Sequence, residues 1–324
     1  MKVGTDGVLL GAWAAVRPQD RRMLDIGTGT GLIALMLAQR APEAHVTGVD
    51  IDDVGQAREN AAASPWSGRV AFAQCPVQEF ETPEPFDLIV SNPPFKMDFS
   101  DFRDDLDSKE NQLRFFAGIP KVKAKAREKM EIYQLFLQHI IFSLKPDGKA
   151  AVVVPTGFIT AQSGIDKGIR EHLVKNKMLA GVVSMPSNIF ATTGTNVSIL
   201  FIDASNKEKV VLIDASNLGA KVKDGKNQKT VLTEEEEQRI CEVFNNKWSE
   251  EDFSVVVSYD DIAGKNYSFS AGQYFDVKIE YADMTPEQFA EKMKGFTDNL
   301  ESLFSQSLEL EAEIKMQMAG LKYE

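Results

Sequence analysis

Leu24-Asp25-Ile26-Gly27-Thr28-Gly29-Thr30-Gly31 decides the fold of this chain. The apolar run Met23–Ile26 reads as a buried strand, and Thr30–Arg40, rich in Leu and Ala, reads as a helix. Between them lie glycines at alternate positions. Glycine has no Cβ, so the backbone can turn sharply there and a ligand can approach closely. No basic residue follows to grip phosphates. The next strand, Val46–Asp50, ends in a second acid, Asp50, where a carboxylate can take both hydroxyls of a ribose.

The alternation continues outward. Val54–Ala63 reads as a helix, and Val70–Ala73 and Phe86–Ser91 as strands. Tyr133–Leu144 is a helix stopped by Pro146-Asp147-Gly148, and Ala150–Val154 is a strand. Lys167–Lys175 is helical, and Leu179–Ser184 and Val197–Ile202 are strands. Strands and helices in this order imply right-handed βαβ units and a parallel sheet.

The strand Phe86–Ser91 runs into Asn92-Pro93-Pro94-Phe95. Prolines donate no backbone hydrogen bond, so the step is rigid and ends the strand. An Asn side-chain carbonyl and the Pro93 carbonyl can each accept one hydrogen of an exocyclic amine, and such a rigid pair is set before the substrate arrives. Phe95 offers a face for a flipped base. The bland alternative is a Pro-rich turn with Asn as an ordinary turn former. A charged insertion follows over 96–128. It is acidic first (Asp98, Asp101, Asp104, Asp105, Asp107) and basic later (Lys121, Lys123, Lys125, Arg127). It reads either as a solvated loop or as a substrate-side loop.

The net charge of −12 argues against a wide nucleic-acid grip by this chain alone, while leaving room for a local basic channel or a gripping partner. No apolar run has the length of a membrane span, so no membrane partner is expected. Cys75 and Cys241 fit no disulfide framework, and with three scattered histidines no metal site is expected. A reducing cytoplasm is the expected home. The expected division is a domain over 1–205 and a C-terminal region over 206–324. Within the latter, Thr233 and Glu236 fit a capping box. A long helix over 285–321 carries a heptad-like stripe that includes Phe289, Met293, Phe296, Leu300 and Leu303. Its length and stripe point to an assembly surface, homo-oligomeric or with another chain.

Asp25, the glycines and Asp50 together resemble the S-adenosylmethionine site of class I methyltransferases. Asn92–Phe95 resembles the [DNS]-P-P-[YFW] motif of amino-methyltransferases. The resemblance implies an α/β, Rossmann-like fold, with a seven-stranded, mostly parallel sheet and one antiparallel edge hairpin. It makes Thr5, Asp6, Gly7, Asp25, Gly27, Gly29, Gly31, Asp50, Ile51 and Asn92 cofactor-binding. It makes Asn92, Pro93, Pro94 and Phe95 catalytic. A dinucleotide at the glycine turn leaves Asn92–Phe95 without a role. The family's acid beyond the third strand, near the cofactor adenine, is replaced here by Gln74-Cys75-Pro76-Val77, and Pro76 has no N–H to offer.

Two families share the chain. Residues 1–95 resemble bacterial tRNA(Val) adenine-N6 methyltransferases, through Met1–Ala14, Leu24–Gly31, Asn60–Trp66 and Phe86–Phe95. Residues 96–324 resemble the modification (M) subunits of type I restriction–modification systems. The carriers there include Arg114–Pro120, Val152–Phe158, Met185–Phe190 with Thr193–Asn196, Tyr267–Tyr274 and the last helix. The implied reaction is N6-methylation of adenine, in DNA together with a specificity subunit, with tRNA as the alternative substrate. A third alternative is a chain that binds cofactor without catalysis. The implied origin is a recombined or engineered chimera with its seam near 92–97. The expectation is a chain without the helical N-terminal domain of M subunits and without the short leader that precedes MKVGTDG in the tRNA enzymes.

Overall fold

The computed structural model describes residues 5–80, 82, 84–189, 196–224, 227–276 and 284–320. The expectations on Met1–Gly4 and on Thr193–Thr195, and those on the side chains of Thr5 and Asp6, lie outside the described residues. The chain divides into two compact units, Met1–Phe275 and Asp276–Glu324.

Helix α1 (Thr5–Trp13) leads into β1 (Arg22–Ile26), α2 (Leu32–Arg40), β2 (His45–Asp50), α3 (Gly55–Ala62), β3 (Val70–Gln74) and β4 (Phe86–Ser91). The insertion holds the short α4 (Arg103–Leu106) and leads to α5 (Tyr133–Ser143), followed by β5 (Leu144–Pro155), α6 (Gly157–Thr160) and α7 (Gly164–Lys175). Then come β6 (Leu179–Ser184), β7 (Val197–Asp203), β8 (Lys209–Asp214), the hairpin β9 (Ala220–Asp224) and β10 (Asn227–Val231), α8 (Glu234–Asn246), β11 (Ser254–Ser258) and α9 (Tyr259–Gly264).

One sheet runs β11-β8-β6-β7-β5-β4-β1-β2-β3. The strands β3, β2, β1, β4 and β5 pair in parallel. This corrects the expected seven strands to nine. The antiparallel β7 lies inside the sheet because it pairs with both β5 and β6, while β8 extends the sheet beyond β6 in parallel and β11 closes it antiparallel. β8 and β11 come from beyond residue 205, so the expected division falls inside the sheet and the contacts divide near Phe275 instead. The central strands are buried on both faces, as helix-covered strands must be: every residue of β4 is buried.

Two clamps set the geometry. Asp87, buried in β4, accepts hydrogen bonds from the Arg21 and Arg22 amides at 2.9 and 2.8 Å and from Lys145 Nζ at 2.8 Å. It therefore ties the starts of β1, β4 and β5. Arg170 of α7 is fully buried and donates from Nε to the Tyr267 carbonyl at 2.7 Å, and from its two terminal nitrogens to the carbonyls of Phe158 and Ala161. That fork fastens the Tyr267–Tyr274 segment onto α6 and α7, and Phe158 and Phe269 flank the guanidinium.

The second unit holds α10 (Pro286–Gly320). Its Thr285 and Gln288 form a reciprocal cap: the Thr285 amide donates to Gln288 Oε1 and the Gln288 amide to Thr285 Oγ1. Phe289, Phe296, Leu303 and Leu310 are each more than half exposed. Among the described residues, no helix is long and apolar enough to cross a membrane.

Candidate active site at the ends of β1, β2 and β4

β1 pairs in parallel with β2 on one side and β4 on the other, so the chain leaves β1 at the point where strand order reverses. Loops diverge there and leave a crevice at the carboxyl ends of the strands. Ile26 and Ser91 are register partners, and Ser91 Oγ donates to the Ile26 carbonyl at 3.0 Å in a buried contact. Gly27 and Asn92, the next residues, therefore leave the sheet side by side.

The glycine turn is held from β2. The amides of Gly27 and Thr28 both donate to the Val49 carbonyl, at 2.8 and 3.2 Å. The Gly29 amide donates to Asp50 Oδ2 at 2.8 Å, and the Asp52 amide to Asp50 Oδ1 at 3.1 Å. Gly27 has φ of +75°, and a Cβ built there meets nothing within 4 Å, so its open side faces space. Gly31 has φ of +79°, and a Cβ there falls 2.8 Å from the Phe72 ring. The first glycine leaves room for a ligand, and the last lets the turn close onto β3.

Asp25 sits beneath this turn and does not line the crevice. It is fully buried, and Oδ2 accepts from Thr28 Oγ1 at 2.6 Å and from the Ala34 amide at 3.1 Å. Oδ1 is buried with no partner among the described residues. Burial pushes this carboxyl up to about 7; the bonds from Thr28 and Ala34 oppose the shift, and the Asp50 charge adds to it. Asp25 is thus placed beneath the glycine turn and not on the cavity wall. Gly7 likewise lies against Leu32 and Ile33 of α2.

A cavity of about 560 Å³ opens at these strand ends. Of the expected residues, Gly27, Asp50, Ile51, Asn92, Pro93, Pro94 and Phe95 line it, while Gly29 and Gly31 shape the turn behind. Pro93 is buried, Asn92 and Phe95 are half-buried, and Phe95 meets Tyr133 edge-on at 6.2 Å. Tyr133 in turn donates to Asp166 at 2.7 Å, as does Gln134 Nε2 at 2.7 Å. The ring of Phe95 is thus backed by a fixed network.

Sequence reasoning missed the opposite wall. Ile132, Leu135, Phe136 and His139 line the cavity at i, i+3, i+4 and i+7, one face of α5 and the residue before it. Phe102, Leu106 and Phe115 of the charged insertion line it as well. The insertion has its own small core of Phe99, Leu106, Phe115, Met130, Ile132 and Leu135, and the Met97 amide donates to the Met130 carbonyl at 3.0 Å. The aromatic and Leu positions between the aspartates carried that signal, and the charge run masked it. His139 is buried, which pushes its imidazole down to about 4, with the Arg114 charge adding to the shift. Among the described residues, no group of three or more His, Cys, Asp and Glu can hold a metal ion.

The sheet order and the crevice define a class I methyltransferase architecture. The profile of the N-6 DNA Methylase family matches residues 45–283, and the chain belongs to that family. The tRNA1(Val) (adenine(37)-N6)-methyltransferase of Bacteroides thetaiotaomicron is 43% identical over 160 residues, covering 48% of this chain and 60% of the relative. The enzyme of the same name from Aeromonas hydrophila is 56% identical over 107 residues, 32% of this chain and 44% of the relative. The chain therefore spans no more than 60% of the length of these two relatives. Among solved structures, the type I restriction-modification system methyltransferase subunit from Streptococcus thermophilus matches with a TM-score of 0.67 at 20% identity, over 85% of this chain and 60% of that one. The type I restriction enzyme EcoKI M protein matches with a TM-score of 0.55 at 17% identity, over 98% and 75%. At such identities the likeness is one of fold. The two-part resemblance read from the sequence is thus repeated: curated relatives of one kind, structural neighbours of the other. S-adenosylmethionine is the cofactor. The site fits it: an open cradle at Gly27, a carboxylate at Asp50, and a long cavity with apolar walls.

Proposed function

We propose that this chain methylates adenine N6 in a polynucleotide, with S-adenosylmethionine as donor and DNA as the polymer. The observation that carries the reading is the Ser91–Ile26 tie, which sets Asn92 beside Gly27. When bound, the cofactor supplies a methyl group already activated by a sulfonium. Gly27 gives its backbone room, and Asp50 faces the ribose hydroxyls. Asp25 acts from below, by holding Thr28 and the start of α2. Asn92 and the Pro93 carbonyl accept the amine hydrogens of the target base and favour its pyramidal form. Positive charge grows on that nitrogen during transfer, and fixed acceptors stabilise it more than they stabilise the neutral amine. Pro94 keeps the step rigid, and Phe95 stacks on the base. No side-chain nucleophile is needed.

DNA is favoured because the DNA methylase profile runs through residue 283, across the insertion and the far half of the sheet. A basic run, Lys121, Lys123, Lys125, Arg127 and Lys129, is exposed beside Met130, whose carbonyl holds Met97 at the cavity. It is the local positive track an acidic chain needs to meet phosphates. The exposed apolar face of α10 suits assembly with a specificity subunit or with a second copy. Free thiols at Cys75 and Cys241 suit a cytoplasmic site of action. The second reading, tRNA as substrate, is favoured by the 43% identity to the Bacteroides enzyme. We also propose that the chain joins two lineages near residues 92–97.

The test is transfer of labelled methyl to adenine in duplex DNA and in valine tRNA, side by side, with and without a specificity subunit. Label in DNA supports the reading, and label in tRNA alone moves it to the second. Binding of S-adenosylhomocysteine without transfer to either substrate marks a chain that holds cofactor without catalysis.

A further inference from the structure

Helix α10 carries an apolar face left in water. From Phe289 to Ile314 large apolar residues recur at alternating steps of four and three, broken at Ser307, and each is at least 46% exposed. Such a spacing keeps one seam along a helix and asks for a second helix to cover it. The seam runs about 37 Å, long enough for two helices to hold each other.

The residues of the seam select that second helix. In an antiparallel pair of identical helices, each of the two sets of seam positions faces the other set. Centred between Leu300 and Leu303, the pairing sets Leu300 against Leu303 of the second copy, Met293 against Leu310, and Phe289 against Ile314. It also sets Phe296 against Ser307, a large ring against a small side chain. The break in the stripe is thus the space that the facing ring needs, since large and small side chains alternate where layers interdigitate.

The flanks agree with the seam. Lys292 and Glu313 each stand one residue before a seam position, and the same register brings Lys292 of one copy to Glu313 of the other at both ends. Phe304, 65% exposed beside Leu303, meets Thr297 of the second copy. A shift by one heptad in either direction separates both Lys292 from Glu313 and Phe296 from Ser307. A parallel pair stacks Phe296 on Phe296 and Ser307 on Ser307. It also leaves Lys292 near Thr297 and Glu313 near Met318, so neither meets an opposite charge. Leu308 and Met316 stay outside the seam.

We propose that α10 pairs with α10 of a second copy of this chain, antiparallel, in the register that joins Lys292 to Glu313. The pairing is independent of the methyl-transfer reading, and its failure leaves that reading standing.

Sedimentation equilibrium of the full chain at low ionic strength is expected to show a dimer. Lys292→Glu and Glu313→Lys, each alone, set like charges against each other at both ends and are expected to weaken it about tenfold. The double variant exchanges the signs and is expected to return to within about threefold of wild type. Orientation is read by oxidation, in a background with Cys75→Ser and Cys241→Ser. A Ser307→Cys chain is expected to join a Phe296→Cys chain. It is not expected to join a second Ser307→Cys chain, whose thiol lies about 16 Å away along the axis. A disulfide between two Ser307→Cys chains, or none in the mixture, overturns the proposal. So does a monomer at up to about 0.1 mM. Association only when a specificity subunit is added also overturns it and assigns the stripe to that subunit. Single charge variants as tight as wild type, or a double variant as weak as the singles, overturn the register. If a charge variant does not fold, the disulfide pattern alone decides.

Discussion

The cavity is built from two stretches of chain that do different work. Residues up to Phe95 supply strand ends: Gly27, Asp50 and Asn92, held to one another by backbone and side-chain hydrogen bonds. Residues after Phe95 supply a wall and a roof, from α5 and the insertion, apolar except at His139. On the proposed reading the first stretch positions reacting groups, and the second walls the cavity with apolar side chains, where a lower dielectric makes such positioning count for more. Contacts tie the two stretches together. Asp87 bonds Lys145, Phe95 meets Tyr133, and β4 pairs with β5.

The largest expected effect lies in the first stretch. On the proposed reading, Asn92→Ala removes one of the two acceptors for the target amine. It is expected to lower the rate of methyl transfer by about 10²–10³-fold, the usual loss for one preorganised hydrogen-bond partner of a transition state. S-adenosylhomocysteine affinity, measured by calorimetry, is expected to stay within about twofold, since Gly27 and Asp50 are untouched. Equal losses in rate and in cofactor affinity contradict this division of labour.

The second stretch answers with stability. Arg170→Met leaves the carbonyls of Tyr267, Phe158 and Ala161 buried without their donor. The expected loss is roughly 3–5 kcal/mol in denaturant unfolding. The lost clamp lies on the far half of the sheet, so the folded fraction should retain its cofactor affinity.

How much could be read from the sequence follows the same line. The glycine turn, Asp50 and Asn92–Phe95 are local codes: a few adjacent residues specify a turn and its chemistry, so their convergence on one crevice was legible. The wall of α5 was recognised as a helix but not as a lining, because which face of a helix meets a cavity depends on distant partners. The insertion reads from its charges as either a solvated or a substrate-side loop, and its core is hidden for another reason. Its aspartates dominate the composition, while Phe99, Leu106 and Phe115 form a core only once Met130 and Ile132 return to meet them. Arg170 had no local signal, since its three acceptors lie 9, 12 and 97 residues away. The eighth and ninth strands of the sheet follow from pairings of β8 and β11 that no short pattern encodes.

Two buried acids of the first stretch give opposite pH dependence. Burial pushes the Asp87 carboxyl up, but the bonds from Lys145 and the Arg21 and Arg22 amides outweigh it and hold it below the usual carboxylate range. Its contribution is therefore complete above about pH 4 and is lost as pH falls through the lower folded value. Asp87→Asn is expected to cost about 2 kcal/mol near neutrality. The gap from wild type, followed by thermal unfolding, should narrow on acidification. Asp25 runs the other way. Its folded value of about 7 lies above the unfolded one of about 4, so its ionisation lowers stability progressively as pH rises through that window. Asp25→Asn should flatten that slope between about pH 4 and 7. An unchanged slope there assigns the pH dependence to other groups.

The smallest effect on the sheet is expected from α10. Leu303 and Leu310 are 52% and 58% exposed, so replacing both with Gln removes little buried area. The unfolding free energy of the sheet-bearing unit should change by less than about 0.5 kcal/mol. Association should respond instead. A heptad-like stripe left in water gains from packing on another helix, and each leucine withdrawn from water on association contributes about 1.5–3 kcal/mol. Light scattering of the full chain, alone and with a specificity subunit, reads that difference. If the double variant leaves every association intact but lowers the unfolding free energy of the sheet, the stripe serves folding, and the proposed contrast between a catalytic unit and an assembly helix fails.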